Sequence, residues 1–459
     1  MRLDADGIVM ALGGVLVSNT VLPPSMRVSI DTRTIDRGDL YVALRGEQFD
    51  GHNFVGEAVD KGAGCVLVDD KASIVPSVPA IVVRDTKRAY MMLAHLARTR
   101  VPGPVIAVTG SAGKTTTKSF LCDLLNASGR SAVATPENEN NEIGVSKFFL
   151  TLLDGSEAML VVEMGCRHRG DIAALVNVAE PAIGILTNIG EAHLEIMGSR
   201  EAIAETKWEL FGNGAHAVLN LHDAASRARG DALFDEPHYF GVGSAEPAEH
   251  GRSTIVRDAT TVEVYENQKL LQRLPIEVRF PGKHNLANLA AAFAAALDLG
   301  VTPAELAQMV GTLALPHGRY EAVQLPGGAR VVFDAYNASL SGTLATLEAF
   351  LGETARRRIV VFGSMAELGD ESPQMHHQVG VTAAEGGVDV ILAGGNYGDD
   401  IVRGARDVRF TGEIVRYTDN AEAAAWLRRH LREHDVVLLK GSRMYRMEEI
   451  LEALQGTAA

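Results

Sequence analysis

The stretch Val105-Ile106-Ala107-Val108-Thr109-Gly110-Ser111-Ala112-Gly113-Lys114-Thr115-Thr116-Thr117 decides the fold class. Its first four residues form the apolar run of a buried strand, and residues 118–127 after it have a helical pattern. Glycines and a lysine between a strand and a helix are typical of a phosphate-binding loop, because backbone N–H groups and the helix N-terminus face the anion. We therefore predict a phosphate loop at the centre of an α/β fold.

Each residue type in this loop suits the binding of a nucleotide. Gly110 and Gly113 allow the backbone to close on a polyphosphate, Lys114 adds positive charge, and the Thr115 hydroxyl can ligate Mg²⁺. The longer pattern GxxxxGK[ST] is not met, since Val108 holds its first glycine position. The alternative is a glycine turn that caps an ordinary helix. The predicted nucleotide-binding residues are Thr109, Gly110, Ser111, Ala112, Gly113, Lys114, Thr115 and Thr116.

Apolar runs on both sides of the loop predict three α/β domains, at residues 1–100, 101–315 and 316–459. Proline-containing segments separate them, Val101-Pro102-Gly103-Pro104 and Pro316-His317-Gly318, because proline does not continue a helix. The first domain is a small α/β unit, the second a parallel sheet covered on both faces, and the third a Rossmann-like, doubly wound sheet.

The predicted elements are short and alternate along the chain. In the first domain a helix ends at Gly13-Gly14, and further strands and helices cover residues 27–30, 38–44, 54–62 (helix), 65–68, 80–83 and 86–100 (helix). In the second they cover 159–162, 183–186, 217–219, an antiparallel edge within 245–277, and a helix over 286–299. In the third they cover 331–333, 359–362, 388–392, 421–430 (helix) and 436–439.

Composition excludes several classes of protein. Of 459 residues, 46% are hydrophobic and 22% charged, which suits ordinary globular cores and not a disordered or fibrous chain. The net charge of −15 makes the chain a poor non-specific partner for nucleic acid or an anionic membrane. The longest apolar run, 289–297, is shorter than the ~20 residues of a membrane helix.

Cysteine usage favours a cytoplasmic protein. The three cysteines, Cys65, Cys122 and Cys166, lie far apart and form neither a disulfide framework nor a zinc motif. Residues 7–17 could mimic the apolar part of a signal peptide, but Asp4 and Asp6 precede them in place of basic residues.

With the triple threonine after Lys114, the chain resembles the Mur ligase family, and the resemblance covers nearly its whole length. Further motifs similar to the family's lie in the same order: Ser29-Ile30-Asp31-Thr32-Arg33, Phe49-Asp50-Gly51-His52-Asn53-Phe54, Asn140-Asn141-Glu142-Ile143-Gly144, Glu163-Met164-Gly165, Asn188-Ile189-Gly190-Glu191-Ala192-His193, Pro281-Gly282-Lys283-His284-Asn285, Asp334-Ala335-Tyr336-Asn337-Ala338, Met365-Ala366-Glu367-Leu368-Gly369 and Lys440-Gly441-Ser442-Arg443. The asparagine pair and the Tyr-Asn-Ala segment favour the member that adds D-alanyl-D-alanine.

The resemblance implies an ATP- and Mg²⁺-dependent amide ligase of peptidoglycan precursor synthesis that acts as a monomer. A carboxylate of a UDP-N-acetylmuramoyl-tripeptide attacks the γ-phosphate of ATP, which gives an acyl phosphate and ADP. The amine of D-alanyl-D-alanine then attacks the acyl carbon and releases phosphate. Such phosphoryl transfer requires charge neutralisation and positioning more than a protein nucleophile.

The resemblance also assigns roles at the reacting centre, with Lys114, Glu163, His193 and Lys207 as the catalytic group. Glu163, His193 and Thr115 are expected to lie at metal ions, and Lys207 is expected to carry a carbamate that binds a second Mg²⁺. The alternatives are an N-cap or loop acid for Glu163, a structural histidine for His193 and a solvated helix lysine for Lys207.

Nucleotide contacts are implied on both sides of the second junction. Asn285 and Asn288 are expected near the adenine, Arg319 near the phosphates and Asp334 near the ribose. The alternatives are helix capping by Asn285 and a surface salt bridge for Arg319 and Asp334.

Substrate contacts are implied in the first and third domains. Ser29, Asp31, Arg33, Asp50 and His52 are expected in the nucleotide-sugar pocket, although Asp31 and Asp50-Gly51 could simply shape turns. The remaining candidates are Asn141, Tyr336 and Asn337, the last two near the dipeptide amine together with Ser339.

Two departures from the family pattern keep other functions open. Ala335 replaces a polar residue, and Ser339-Leu340 stands where Asn-Pro is usual. A Mur-type ligase acting on another acid and amine is one alternative. A nucleotide-driven switch or mechanical ATPase is another, although neither the strict phosphate-loop pattern nor an arginine finger is recognisable. Because the loop and the amine contacts lie in different domains, we expect domain rotation about a hinge within 315–318.

Overall fold

The computed structural model describes residues 1–17, 21–46 and 49–456. The N-terminal region forms a five-stranded sheet in the order β2-β7-β6-β5-β4, with β2 antiparallel to β7, and a separate β1-β3 pair. Its elements are β1 Leu3–Asp4, α1 Ala5–Leu12, β2 Val15–Val17, β3 Ser25–Met26, β4 Val28–Ser29, β5 Leu40–Val42, α2 Val55–Asp60, β6 Cys65–Val68, β7 Ala80–Val82 and α3 Thr86–Arg98.

The central region forms a nine-stranded sheet in the order β16-β15-β14-β13-β12-β11-β8-β10-β9. Its elements are β8 Val105–Thr109, α4 Lys114–Ala127, β9 Ala132–Ala134, α5 Glu142–Lys147, β10 Met159–Glu163, α6 Asp171–Ala179, β11 Ile183–Leu186, α7 Leu194–Met197, α8 Arg200–Trp208, β12 His216–Asn220, α9 Ala224–Leu233, β13 His238–Val242, β14 Arg252–Asp258, β15 Thr261–Glu266, β16 Lys269–Pro275, α10 Lys283–Asp298 and α11 Pro303–Met309. The strands from β9 to β14 are parallel, and β15 and β16 add the predicted antiparallel edge.

The C-terminal region forms a six-stranded sheet in the order β17-β18-β22-β19-β20-β21, parallel except for β17. Its elements are β17 Glu321–Gln324, β18 Arg330–Phe333, α12 Leu340–Leu351, β19 Arg357–Phe362, α13 Ser372–Glu385, β20 Val390–Ala393, α14 Gly398–Asp407, β21 Glu413–Arg416, α15 Asn420–His430, β22 Asp435–Lys440 and α16 Glu448–Gln455. The predicted α/β class is confirmed.

Alternation along the buried strands explains how the layers pack. On β8, Val105 and Ala107 belong to one apolar cluster, while Ile106 and Val108 belong to another on the opposite face with α4 and α10. The first of these clusters also contains Leu93 of α3 and residues of the N-terminal sheet. The N-terminal and central regions therefore share one continuous core, whereas the C-terminal sheet has two cores of its own.

Six strands were not predicted, and their sequences explain why. β1 and β3 have only two residues each and β9 has only three. β17 and β21 are polar edge strands with half-exposed side chains. β13 is buried but begins with His238, which broke the apolar pattern. Within the described ranges, no helix is long and apolar enough to span a bilayer.

Candidate active site

The candidate active site lies where neighbouring strands of the central sheet end. Register pairs Val108 of β8 with Glu163 of β10, and Thr109 of β8 with Leu186 of β11. Because parallel strands place their carboxyl ends at one edge, the phosphate loop, Glu163 and the segment that begins at Thr187 converge there.

The phosphate loop is held in shape by the segment that follows β11. Ser111 N–H donates to the Asn188 carbonyl at 3.0 Å, and Ala112 N–H donates to Asn188 Oδ1 at 2.9 Å. Thr187 Oγ1 donates to the Ala112 carbonyl at 2.6 Å, and Gly190 N–H donates to Ser111 Oγ at 2.8 Å. These bonds preorganise the loop before any ligand binds.

Two loop positions require glycine. A Cβ at Gly110 would lie 1.8 Å from Thr187 Oγ1, and one at Gly113 would lie 2.2 Å from Asn288 Oδ1. Gly113 also has a φ of +83°, which side chains rarely adopt. No side chain caps α4, so its first N–H groups are available to an anion. The alternative of a glycine turn capping an ordinary helix does not explain this arrangement.

Lys114 occupies an electrostatically unfavourable position in the ligand-free protein. Its Nζ donates to the Gly110 carbonyl at 2.8 Å. Burial, and then the nearby charge of Lys207, lower the pKa of Lys114 to about 8. A polyphosphate would neutralise this excess positive charge, which is what the loop is built to bind.

Glu163 is the last residue of β10 and is only 2% exposed, so the interpretation as an N-cap or loop acid is wrong. Asn140 Nδ2 donates to Oε1 at 2.8 Å, while Lys118 Nζ lies 3.3 Å from Oε2. Oε2 is buried and accepts no hydrogen bond. A buried carboxylate oxygen without a donor is a candidate metal ligand.

The donor set fits Mg²⁺. Among the described residues, no group of three or more His, Cys, Asp or Glu side chains could hold a metal ion by itself. Mg²⁺ commonly takes one or two carboxylates and completes its shell with phosphate and water oxygens. Glu163 at the edge of a phosphate loop, with Thr115 at the start of α4, has this composition.

Lys207 is buried on α8, so the alternative of a solvated helix lysine is wrong. Its side chain is 2% exposed, and Nζ donates to Cys166 Sγ at 3.7 Å. Burial lowers the pKa of Lys207 below its ordinary value. A lower pKa increases the neutral amine fraction, which is the form that can react with CO₂.

His193 connects the central and C-terminal regions. Its Nδ1 contacts the carboxylate of Glu367, and Arg167 Nη2 lies 3.4 Å from the same carboxylate. The histidine has a φ of +64° and precedes α7. In this conformation Nδ1 is engaged by Glu367, so the metal role of His193 stays a prediction that depends on Nε2 or on release of this contact.

Cations and an aromatic ring of the C-terminal region cluster near the phosphate loop, where the charge of Arg319 lowers the pKa of Lys114. The Arg319 guanidinium lies 4.4 Å, and that of Arg443 5.3 Å, from the centre of the Tyr336 ring. Arg319 Nε is buried and has no hydrogen-bond partner. Burial raises the pKa of Tyr336, Arg319 opposes this effect, and Glu163 adds to it.

Asp334 is not part of a surface salt bridge. It is 6% exposed, and its Oδ2 lies 2.8 Å from Nζ of the equally buried Lys440. Tyr320 N–H donates to Oδ1 at 3.2 Å, and burial opposed by Lys440 leaves the pKa of Asp334 lowered. None of the ion pairs found in the described part of the chain includes Arg319, so that alternative is wrong for both residues.

Of the predicted asparagines of the central region, Asn288 lies at the phosphate loop, while Asn285 and Asn141 make local contacts. Asn288 borders the phosphate loop at Gly113. Asn285 is inside α10 and donates to the Pro281 carbonyl at 2.8 Å, and Gly282 is the N-cap, so capping by Asn285 is wrong. Asn141 is the N-cap of α5 and accepts from Gly144 N–H at 2.9 Å. Its substrate role stays a prediction.

The predicted nucleotide-sugar residues form two turns of the N-terminal region. Asp31 accepts from the backbone and side chain of Arg33, which lowers the pKa of Asp31 to about 2. Ser29 Oγ donates to the Asp31 carbonyl at 3.1 Å. Asp50 accepts from His52 N–H at 3.0 Å and contacts its ring. Both aspartates therefore shape turns, and contact of these five residues with substrate remains a prediction.

The two departures from the family pattern preserve local structure. Ser339 is the N-cap of α12 and accepts from Gly342 N–H at 3.3 Å, while Leu340 is the first helical residue. Asn and Pro are favoured at these same two positions, so Ser-Leu performs the same structural task. Ala335 is 2% exposed within a C-terminal core, which suits a small apolar side chain.

Sequence reasoning missed several residues that complete the site: Lys118, Asn140, Thr187, Asn188, Glu367 and Lys440. Lys118 carried a usable signal, because it follows Lys114 by one helical turn on the same face. Asn140, Asn188, Glu367 and Lys440 lay inside recognised motifs and Thr187 directly before one, but nothing in their spacing indicated their partners.

Comparison with known proteins places the chain among ligases. Family models match three consecutive ranges: the Mur ligase family catalytic domain at residues 26–101, the Mur ligase middle domain at 108–296 and the Mur ligase glutamate ligase domain at 318–443. The chain is 35% identical to a UDP-N-acetylmuramoyl-tripeptide–D-alanyl-D-alanine ligase of Synechocystis, over 96% of this chain and 95% of that protein. It is 32% identical to the Escherichia coli protein of the same description, over 93% of each.

Solved structures give the same result. A crystal structure of MurF from Acinetobacter baumannii matches with a TM-score of 0.88 and 27% identity over 99% of both chains. The MurF ligase of Thermotoga maritima in complex with ADP matches with a TM-score of 0.80 and 29% identity, over 94% of this chain and 97% of that one. Matched along nearly its full length in sequence and in fold, the chain belongs to the Mur ligase family.

Proposed function

We propose that the chain is an ATP-dependent ligase that joins D-alanyl-D-alanine to a UDP-N-acetylmuramoyl-tripeptide in peptidoglycan precursor synthesis. One observation carries the proposal: the Arg319–Tyr336 pair of another region lies close enough to the uncapped phosphate loop and to the buried Glu163 carboxylate for their charges to interact, Arg319 with Lys114 and Glu163 with Tyr336. Relatives described as this ligase match nearly end to end, which supports the choice of substrates.

ATP is the nucleotide that this arrangement fits. Residues 109–116 would enclose its phosphates, with Lys114 neutralising charge and Arg319 approaching from the C-terminal region. Asn285 and Asn288 border the loop or its helix, and Asp334 lies in the C-terminal wall. The ADP complex of the Thermotoga relative supports ATP use.

Mg²⁺, held by Thr115 and Glu163 and by a carbamate on Lys207 with His193 nearby, would supply charge stabilisation for the transferring phosphoryl group. The protein's own task is to bring two anions together. Lys114 and Arg319 lower the repulsion between the tripeptide carboxylate and the triphosphate.

The reaction balances without a protein nucleophile. The carboxylate oxygen bonds to the γ-phosphorus as the bond to ADP breaks, and the dipeptide amine then bonds to the acyl carbon as phosphate and a proton leave. The Arg319 guanidinium lies over the Tyr336 ring, and the Asn337 carbonyl accepts from Lys440 Nζ. These contacts support a role for Tyr336 and Asn337 in orienting the dipeptide. Closure of the C-terminal region, about a hinge within 315–318, would exclude water from the acyl phosphate.

We also propose three functional domains at 1–100, 101–315 and 316–459, with the first binding the nucleotide sugar. The family models support these boundaries, because one ends at 101, the next covers 108–296 and the third begins at 318. The expected monomer and the cytoplasmic location remain proposals. Three free cysteines agree with a reducing compartment.

Product formation tests the function directly. The purified protein is incubated with ATP, Mg²⁺, UDP-N-acetylmuramoyl-tripeptide and D-alanyl-D-alanine, and products are identified by mass spectrometry. We expect the pentapeptide nucleotide and one phosphate per product, with neither formed when one substrate is omitted. Product only from another acid or amine would support a diverged ligase, and steady ATP hydrolysis without an amine would support a nucleotide-driven switch.

A further inference from the structure

We propose that Lys118 is a positioning residue that fixes the Glu163 carboxylate for the divalent cation that accompanies the nucleotide. This inference rests on the proposed function, because it concerns the same phosphate site. Lys118 lies on α4 one turn after Lys114, yet its side chain points to the carboxylate and not to the loop. It is 4% exposed.

Two hydrogen bonds and one ion pair fix the position of the Lys118 ammonium. Nζ donates to the Thr135 carbonyl at 2.7 Å and to the Glu137 carbonyl at 2.8 Å. Its remaining neighbour is Glu163 Oε2, at 3.3 Å. An ammonium has three donors and no acceptor, so this set of partners defines where Nζ sits and which side of the carboxylate it faces.

The same ammonium also fixes the loop that supplies the second partner of Glu163. Thr135 Oγ1 accepts from Glu163 N–H at 3.0 Å, and the loop then passes through Glu137, which has a φ of +30°. It reaches Asn140, whose Nδ2 donates to Glu163 Oε1 at 2.8 Å. Lys118 therefore acts on both carboxylate oxygens, directly on one side and through residues 135–140 on the other.

This arrangement suits metal binding better than core stability. Burying a lysine costs desolvation free energy, and an apolar side chain of the same length would avoid that cost. The contact leaves Oε2 without a hydrogen bond, so the oxygen stays free to ligate. Partners of metal ligands fix ligand orientation in this way.

The test compares ADP binding with and without a divalent cation. Isothermal titration calorimetry measures the ADP dissociation constant in Mg²⁺ and in EDTA, and Mn²⁺ titration by electron paramagnetic resonance measures metal affinity in the presence of ADP. The variants are Lys118→Met, Lys118→Arg and Glu163→Gln. Lys147→Met is the matched control, because Lys147 pairs with Glu139 of the same loop at 2.6 Å but is 43% exposed.

We expect Lys118→Met to weaken Mn²⁺ binding at least tenfold, within the roughly 10- to 100-fold range for lost partners of metal ligands. ADP affinity in EDTA should stay within twofold, because the phosphate loop is untouched. Lys118→Arg should recover most of the loss, and Lys147→Met should match the wild type. Lys118→Met in the Glu163→Gln background should cause no further loss, since Lys118 acts through Glu163.

Three outcomes would overturn the role of Lys118: wild-type Mn²⁺ affinity in Lys118→Met, equal loss of ADP binding with and without metal, or a full additional loss in the double variant. Thermal unfolding of each variant identifies misfolding. If Lys118→Met misfolds, the metal affinity of Lys118→Arg alone decides whether Lys118 has the proposed role. If the wild type itself bound ADP no better with Mg²⁺ than in EDTA, the proposed function would fail instead.

Discussion

Two lysines at the site have environments that ordinary surface lysines do not. Burial lowers the pKa of both Lys114 and Lys207, and the charge of Lys207 lowers that of Lys114 further. The sequence could assign Lys114 from the glycines around it. The burial of Lys207 could not be predicted, because it depends on Cys166, 41 positions away, and on packing of α8 against α6 and α7.

Lys207→Ala should lower ligase turnover by about 100-fold, the effect of removing one preorganised charge-stabilising group. Steady-state phosphate release measures it. Added acetate or formate should restore part of the activity, because a small carboxylate can replace the carbamate oxygens. The exposed Lys269, changed to alanine, is the control. Full activity of unrescued Lys207→Ala would remove this residue from the mechanism.

The pKa of Lys114 predicts a pH dependence of stability. The folded value of about 8 lies below the ordinary 10.5, so between these values the folded protein binds fewer protons than the unfolded chain. The Lys114 contribution to the unfolding free energy should therefore rise with pH, from an unfavourable value at and below pH 8.

Urea unfolding of the wild type and of Lys114→Met, each without ligand from pH 7.5 to 9.5, isolates this contribution. The stability of the wild type relative to the variant should increase with pH. Saturating ADP should flatten the dependence, since phosphate stabilises the charged lysine. A relative stability that falls with pH would contradict the assigned environment.

At the scale of elements, buried runs were predictable and edges were not. β6 and β11 occupy the predicted residues because apolar side chains fill both faces. β17 and β21 were missed because their side chains are partly solvated, so their sequences have the polar pattern of a loop. The end of a helix could be predicted where the sequence contains a clear capping residue. Gly13, which ends α1 with a φ of +54°, is an example.

The N-terminus of α12 gives a test of the unusual Ser339-Leu340 pair. Ser339→Ala should lower the unfolding free energy by about 1 kcal/mol, because the cap bond to Gly342 is lost. Ser339→Asn should be neutral in stability and should leave the Michaelis constant for D-alanyl-D-alanine within threefold. A large change in that constant for Ser339→Asn would show that the serine itself selects the second substrate.

Contacts between elements far apart in the chain are the part of the site that could not be predicted from the sequence. The motifs containing Glu163, His193 and Glu367 were each recognisable. Nothing in one sequence indicates that His193 meets Glu367 across 174 positions, or that Lys118 meets Glu163. Such pairs are fixed by the order of strands and by the docking of one sheet against another.

At the scale of the whole molecule, the C-terminal region is attached differently from the other two. Its contacts with the central region include His193–Glu367 and the exposed pair Lys283–Glu348 at 2.7 Å. Exposed pairs contribute only about 0–1 kcal/mol each. Breaking the Lys283–Glu348 pair during a movement would therefore cost little, whereas the apolar contact of Leu194 with a C-terminal core would also have to be released.

Small-angle X-ray scattering should detect this movement. Adding a non-hydrolysable ATP analogue together with the UDP-tripeptide should decrease the radius of gyration, and the analogue alone should have a smaller effect. Glu367→Gln, which removes the carboxylate charge facing His193 and Arg167, should lessen the change. Identical profiles with and without both ligands would argue against rotation about residues 315–318.

The shared core beneath α3 has a practical consequence. Leu93 of α3, Met26 of the N-terminal region, and Val105 and Ala107 of β8 belong to a single apolar cluster. Because β8 leads directly into Gly110, truncating a side chain such as Leu93 would weaken the support of the phosphate loop together with that of the N-terminal sheet. A substitution far from the nucleotide could therefore impair its binding without touching a single ligating group.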